Sequence, residues 1–488
     1  MAETHRQPAA AGVDYEGTEA DYLERRQLQR GAAGWVLLAG LGVAYVISGD
    51  FAGWNGGLGE GGWGGLLIAT LLMATMYTCM VFALAELSSA VPATGGGYAF
   101  ARRALGPWGG FLTGTAILIE YAIAPAAIAI FIGGYIESLE LFGITAGWPV
   151  YLAAYGVFVG IHLFGVGEAL KVIFAITALA VVGLVVFVVG MVPQFDPANL
   201  TNIPPDGSAG SSAFLPFGVA GIWAAFPFAI WFFLAIEGVP LAAEETRNPA
   251  RDMPRGLIAG ILCLLVFAAV VLTLAPGAGG AKELVESTNP LPDAMTSPTA
   301  YGEATTLSQL VNYIGLAGLI ASFFSIIFGY SRQMFALSRA GYLPRFLSVT
   351  SGRRVPFLAL LIPGAIGFAL TFTDSTGFVL INMAVFGATV SYVLMMLSHI
   401  VLRSREPGLE RPYRTPGGVF TSGLALVLAV AAVIATFLVD QTAALIMLGV
   451  YLLFIVYFAV YSRHHLVASA PEEEFAAVEQ AEAELAGG

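Results

Sequence analysis

The sequence predicts an all-α polytopic membrane protein of twelve transmembrane helices, and three observations lead there. Hydrophobic residues make up 57% of the 488-residue chain and charged residues only 11%, against roughly 25% in a soluble domain. Charge-poor apolar stretches recur along the whole chain, at or near the roughly 20 residues that a bilayer-crossing helix needs. The basic residues between those stretches gather in alternate connections, as a cytoplasmic excess of Lys and Arg requires. So little charge cannot cover a water-facing surface, which excludes a soluble globular protein.

The spans fall at 33–58, 62–90, 104–136, 148–166, 170–192, 215–243, 255–276, 305–335, 356–373, 376–402, 419–439 and 441–462. The second ends near Glu86, and the third is long enough that Pro125 is expected to bend it. The 59 glycines and 12% aromatic content suit tightly packed membrane helices with interfacial belts. Residues 1–30 are polar, with no apolar core of a cleavable signal, so the first helix is read as part of the mature protein. With the N-terminus in the cytoplasm and the helices alternating, 20 of the 21 basic residues lie inside and Lys282 alone lies outside. This gives a multi-pass cell (inner) membrane protein with both termini cytoplasmic. The outer connections carry eleven carboxylates, from Glu60 to Asp440. They would concentrate cations modestly, although positive-inside sorting alone already depletes that side of bases. Residues 277–304 read as an outer loop with no chemistry of its own, and the stretch after Ala470 as an acidic, disordered or frayed tail.

Several classes of function lack their signatures. The formal charge of −12 speaks against a nucleic-acid partner. There is no Gly-rich phosphate loop ending in Lys-Ser/Thr, no His-Glu-x-x-His, no Cys-x-x-Cys and no Gly-x-Ser-x-Gly. The five histidines do not cluster at ligand spacing, and His162 reads as a packed polar residue. Cys79 and Cys263 lie in apolar runs and are expected to be buried packing residues, not a disulfide or a metal site. No enzyme site, cofactor or metal is expected.

Three carboxylates fall within spans: Asp50 in the first, Glu120 in the third and Glu237 in the sixth. An aspartate at the centre of a membrane helix costs about 2.5–3.5 kcal/mol on insertion scales, and no Lys or Arg is read at comparable depth. Singly, each serves equally well as a protonated structural hydrogen-bonder. Three without counter-charge favour a cation pathway. Asp50 lies in Ser48-Gly49-Asp50-Phe51-Ala52-Gly53 and Glu237 in Ala235-Ile236-Glu237-Gly238-Val239-Pro240. Glycine weakens a helix by about 1 kcal/mol and proline by about 3, so both segments are expected to unwind locally, which membrane helices tolerate where freed backbone lines a cavity. They occupy matched positions if spans 1–5 and 6–10 are structural repeats. The plainer reading is that membrane helices are Gly-rich and often kinked.

At these residues the chain resembles the amino acid–polyamine–organocation superfamily and, within it, the ethanolamine permeases, over roughly residues 30–465. Ser48-Gly49 followed by Phe51 is similar to the superfamily's first-helix motif. Gly95-Gly96-Gly97-Tyr98, Arg102-Arg103 and Gly106-Pro107-Trp108-Gly109-Gly110 resemble its connection between helices 2 and 3. Ala243-Glu244-Glu245-Thr246-Arg247-Asn248-Pro249, with Arg255 following, resembles the end of helix 6, and Arg332 to Pro344 the end of helix 8. The run Ile117-Leu118-Ile119-Glu120-Tyr121-Ala122-Ile123-Ala124-Pro125 points to the ethanolamine branch. The resemblance implies two inverted five-helix repeats plus two peripheral helices, the LeuT-like arrangement, with alternating access around a site between helices 1, 3, 6 and 8. It implies a transporter domain at 31–465, between a cytoplasmic segment at 1–30 and a tail at 466–488. It implies that Ser48 and Gly49 mark the helix-1 break and that Trp231 is an aromatic gate or platform. Glu237 would be a proton- or gating-linked carboxylate, and Ser322 and Ser325 would face the site.

Two departures shape the reading. Amino acid permeases hold a substrate carboxylate at the helix-1 break, where this chain has Asp50. Like charges at about 4 Å and an effective dielectric of about 20 repel by about 4 kcal/mol, which favours an amine without a carboxylate. Span 5 has Lys171 only at its cytoplasmic end, where several relatives have a mid-helix lysine, so the coupling ion stays open. The expected function is a permease importing protonated ethanolamine or a similar small amino alcohol. Asp50 would counter the ammonium, carbonyls near Gly49 and Ile236 would complete its shell, Trp231 would form a cation–π wall worth about 0.5–2 kcal/mol, and Glu120 and Glu237 would tune charge or carry a proton. Trp231 is equally well read as a packed membrane aromatic. A proton-coupled amino acid permease is the alternative. A cation channel or nutrient sensor has no filter loop or appended signalling domain to support it. A phosphatase reporter that works only outside the cytoplasm is expected to be active when inserted after Lys282 and inactive after Arg354; the reverse pattern would refute the orientation.

Overall fold

In the first span the helix stops and restarts twice within twenty residues, at a place where the sequence offers serine and glycine instead of bulky apolar side chains. The computed structural model describes residues 12–18, 21–26, 33–91, 95–140, 143–164, 169–373, 376–468 and 470. The expected acidic tail and most of the segment 1–30 lie outside the described residues. The helices are α1 (Trp35–Val46), α2 (Ser48–Phe51), α3 (Gly56–Ala90), α4 (Gly97–Ser138), α5 (Trp148–Phe164), α6 (Ala169–Met191), α7 (Gly218–Ala224) and α8 (Phe226–Trp231). After a 3-10 helix at Ile236–Glu245 follow α9 (Pro249–Gly279), α10 (Pro290–Thr296), α11 (Thr306–Arg339), α12 (Phe357–Leu370), α13 (Phe378–Arg405), α14 (Val419–Val439) and α15 (Gln441–Val460). Among the described residues, nine helical segments are long and apolar enough to cross a membrane, and three shorter apolar helices, α1, α5 and α12, accompany them.

The side-chain pattern makes lipid the outer solvent. On α6, Ile173, Thr177, Ala180, Leu184, Phe187 and Met191 are buried while Val172, Leu179, Val182, Val185 and Val189 are exposed. Both faces are apolar, so the exposed one has no water-facing role. On α14 the buried stripe is Ser422, Ala425, Ala429, Ala432 and Ala435, small residues that let helices approach closely in a membrane. α4 is buried nearly all round and lies against α13 and α11, the mark of a helix at the centre of the bundle. The C-terminal ends of α3 and α13 are pinned by charge. The Glu86 carboxylate accepts from Arg403 Nη2 at 2.5 Å and the Thr415 amide at 2.7 Å, and it is ion-paired with Arg411, whose Nε lies 3.0 Å away.

Several expectations need correction. The first span is interrupted on both sides of Ser48-Gly49: α1 ends at Val46, the two residues lie in the four-residue α2, and the extended residue is Ala52 (φ −158°, ψ 159°), followed by Gly53 at φ 93°. The third span starts at Gly97, not 104, so the motif resembling a connection is largely helical. The non-helical backbone within α4 is at Gly106 (φ 80°), not Pro125. Gly106 precedes Pro107, and a proline ring drives its preceding residue out of the helical region. The sixth span divides at Ala225 and again at Phe232–Ala235, where Ala235 adopts φ 77°. The outer stretch 277–304 is not a bare loop, since it contains α10 and a 3-10 turn at Lys282–Leu284. A short parallel pair, β1 (Tyr15–Glu16) with β2 (Leu466–Val467), was not expected. Neither cysteine is fully buried: Cys79 is half-buried and Cys263 is exposed, on an α9 face lined by exposed Leu262 and Val266. A thiol is apolar enough to face hydrocarbon.

The break in the first span and the sixth span are packed together. A Cβ on Gly49 would lie 2.3 Å from the Trp231 carbonyl oxygen, so only glycine allows this approach. Gly49→Val is expected to lower the midpoint of thermal unfolding in detergent by far more than Trp231→Phe, since it forces the two backbones apart at a cost of about 1–3 kcal/mol or more. An unchanged midpoint would show that the contact is not tight.

Candidate functional site

Trp231 ties the two interrupted spans to each other. Its indole Nε1 donates to the Ala52 carbonyl at 3.0 Å, the extended residue of the first break. Its ring meets Phe131 of α4 edge-on, with centroids 6.4 Å apart. The side chain is buried and packs closely on Gly53, so it caps the break. Where α1 gives way to α2, the Tyr45 carbonyl accepts from Ser322 Oγ at 2.7 Å, and Ser48 Oγ stands 2.8 Å from the same Ser322 oxygen. Since Ser322 has given its proton to Tyr45, Ser48 is the donor. Ser325 is different: its hydroxyl bonds back to the Ala321 carbonyl of its own helix at 2.7 Å. Phe51 packs on Gly315 and Gly318 of α11, and its carbonyl accepts from Tyr135 Oη at 2.8 Å.

The three carboxylates divide into one and two. Asp50 is 0% exposed, and neither of its oxygens has a hydrogen-bond partner. Successive helix residues are turned by about 100°; Ser48 meets α11 and Gly49 meets Trp231, which leaves Asp50 on the face opposite Ser48. No charged group acts on it electrostatically among the described residues. Glu120 is also 0% exposed, and its carboxyl pairs side chain to side chain with that of Glu237. Glu237 follows the left-handed Ala235 and is held by tyrosines. Tyr121 Oη donates to Oε1 at 3.2 Å and Tyr392 Oη to Oε2 at 3.1 Å, while Tyr77 Oη stands 2.9 Å from Tyr392 Oη. Gly238 makes room for this arrangement, because a Cβ there would lie 2.5 Å from Tyr121 Oη. Ile236 packs toward Gly42 of α1 and Gly260 of α9. Two carboxyls side by side repel when both are charged, and a proton or a cation between them removes that repulsion.

Sequence reasoning missed the tyrosines. The signal was present: Tyr77, Tyr121 and Tyr392 lie within long apolar helices, and a hydroxyl buried there needs a partner. It also missed a buried ion pair. Arg332, counted as a cytoplasmic residue, is 2% exposed and donates to Glu245 at 2.6 Å. Both act electrostatically on the Tyr45 hydroxyl, as does Glu237. A basic residue therefore does reach the Tyr45 hydroxyl, but it arrives already paired with Glu245. His162 is the packed residue that was expected, with Nε2 3.0 Å from the Phe324 carbonyl.

Long apolar helices with lipid-facing surfaces, interrupted in two places beside buried carboxyls, define a polytopic membrane protein with a polar interior. The amino acid permease family model matches residues 36–475, and the chain belongs to that family. It is 31% identical over 407 residues to an uncharacterized transporter of Rhizobium meliloti, covering 82% of this chain and 85% of that one. It is 27% identical to the branched-chain amino acid permease of Bacillus subtilis, over 74% and 78% of the two chains. It is 26% identical to the methylthioribose transporter of the same organism, over 77% and 82%. The protein is a membrane transporter and not an enzyme. Arg332→Ala and Glu245→Ala are each expected to destabilise the protein strongly, since leaving one partner of a buried pair costs about 3–5 kcal/mol. The double variant should lose less than the sum of the two in thermal unfolding; additive losses would mean that the pair does not interact.

Proposed function

We propose that this transporter is a secondary active permease that imports protonated ethanolamine or a similar small amino alcohol by alternating access. The observation that carries this is Asp50: a fully buried carboxyl at the first helix break with no hydrogen-bond partner and no counter-charge among the described residues. A buried ionised carboxylate without a partner is strongly unfavourable, and an ammonium ion is the small solute that satisfies it. Its separation from the Glu120–Glu237 pair suggests two roles. Asp50 counters the substrate's ammonium, with the carbonyls near Gly49 and Ile236 and the Trp231 ring completing the shell. The glutamate pair, hydrogen-bonded by Tyr121 and Tyr392, carries a proton. Ser48, Gly49, Phe51, Gly238, Ser322 and Ser325 shape the break.

The same reading takes residues 31–465 as one transporter domain of twelve spans, in two inverted five-helix repeats plus two peripheral helices. Residues 1–30 and 466–488 lie in the cytoplasm and the domain in the cell (inner) membrane. The contact between the two interrupted spans, Gly49 against Trp231, supports that pairing. The second reading is a proton-coupled amino acid permease, favoured by the name of the Bacillus subtilis branched-chain relative.

Uptake of labelled ethanolamine into proteoliposomes, with and without an inward proton gradient, tests both. Wild type should accumulate the label, and Asp50→Asn should lose at least about tenfold in apparent affinity, the equivalent of about 1.4 kcal/mol. Glu237→Gln should keep exchange but lose the response to the gradient. Branched-chain amino acids that compete fully, with Asp50→Asn transporting normally, would replace this reading with the second.

A further inference from the structure

Away from the breaks, an outer cavity of about 430 Å³ lies between the end of α4, the short helix α10 and the start of α11. That volume is within the range of small-ligand sites. Two carboxylates line it, Glu140 at the exposed rim and Asp293 deeper, and the lining includes no Lys or Arg. Asp293 accepts from Ser287 Oγ at 2.5 Å, and among the described residues no ion pair neutralises it. Burial holds its carboxyl above the ordinary aspartate range.

An independent observation concerns Asn312, which also lines the cavity and is only 5% exposed. Its Nδ2 donates to Ser138 Oγ at 2.6 Å, and Ser138 Oγ in turn donates to the Tyr135 carbonyl at 3.0 Å. That chain fixes the amide orientation, because the serine's only proton is used and it can only accept from Asn312. Asn312 Oδ1 is therefore a buried acceptor with no partner. Buried polar atoms without a partner are uncommon enough to call for an explanation.

We infer that this cavity is a binding site for a small primary ammonium ion, distinct from the helix breaks. Every unsatisfied group named above accepts hydrogen bonds or attracts positive charge. The first-turn donors of α11 offer an anion little, because Thr305 and Ser308 close a reciprocal capping box there, while the end of α4 at Ser138 presents the negative pole of a helix. The walls include Leu139, Pro292 and the ring of Tyr313, which suits an organic cation better than a metal ion that needs six to eight close oxygens. The site is also linked to the first break. Tyr135 Oη lies within electrostatic reach of Asp293 and donates to the Phe51 carbonyl. Its ligand class is that of the proposed substrate, but the site stands on its own residues.

The test is protection of a cysteine at the rim. In a Cys79→Ala, Cys263→Ala background, Gln309→Cys is modified by a membrane-impermeant trimethylammonium methanethiosulfonate, with ethanolamine or sodium chloride at equal ionic strength. Ethanolamine is expected to slow the modification and sodium chloride is not. The protection should persist in Glu237→Gln. It should need about tenfold more ethanolamine in Asp293→Asn, and likewise in the rim variant Glu140→Gln, which keeps a stable background if the buried change disturbs folding. Equal protection by sodium chloride, loss of protection in Glu237→Gln, or no shift in both carboxylate variants would overturn the site. Protection without uptake would refute the proposed transport function alone, and uptake without protection would refute this site alone.

Discussion

A charge or an unpaired backbone group inside a bilayer has no water to turn to. That constraint organises this molecule more than any single contact does. Where the first span stops being regular helix, three carbonyls are met by particular side chains: that of Tyr45 by Ser322, that of Phe51 by Tyr135 and that of Ala52 by Trp231. These donors come from α11, α4 and α8, so the break holds the bundle's centre together as well as interrupting a helix. The polar interior is a set of obligations settled between neighbouring helices.

Against that background, the carboxyls differ in kind. Glu86 and Glu245 are structural, because each is matched by arginine at hydrogen-bonding distance. Glu237 is intermediate, held by two tyrosine hydroxyls but by no cation. Glu120 has the Glu237 carboxyl beside it, and Asp50 has no partner among the described residues. Burial is common to all five and so cannot by itself mark function. What separates them is whether the protein itself supplies the partner, and the one it leaves unmatched, Asp50, lies at an interrupted segment.

The acidic connections follow the same logic at lower stakes. The connections poor in Lys and Arg are rich in carboxylates, and Glu137, Glu140, Asp206 and Glu303 among them are exposed. Asp293 stands apart because α10 places it in a cavity that is also lined by Asn312, whose buried amide oxygen has no partner among the described residues. A stretch that reads as a loop from its Pro and Gly content thus folds into a short helix and becomes one wall of a cavity.

Composition and apolar run length were enough to give the membrane class and the main helices, because a bilayer demands about 20 apolar residues per crossing wherever the helix later packs, and short motifs carried the family resemblance. The unusual chemistry at Asp50, Glu120 and Glu237 was visible too, since a carboxylate in an apolar run stands out without any knowledge of its neighbours. Which of them meet was not visible. Glu120 and Glu237 are 117 positions apart and come together only because α4 crosses the sixth span, while Asp50 is turned away from Ser48 by helical phase. The position of the first break, the tyrosines around Glu237 and the Arg332–Glu245 pair were likewise decided by packing. Each is a contact between helices distant in the chain, and periodicity within one helix carries no information about what faces it.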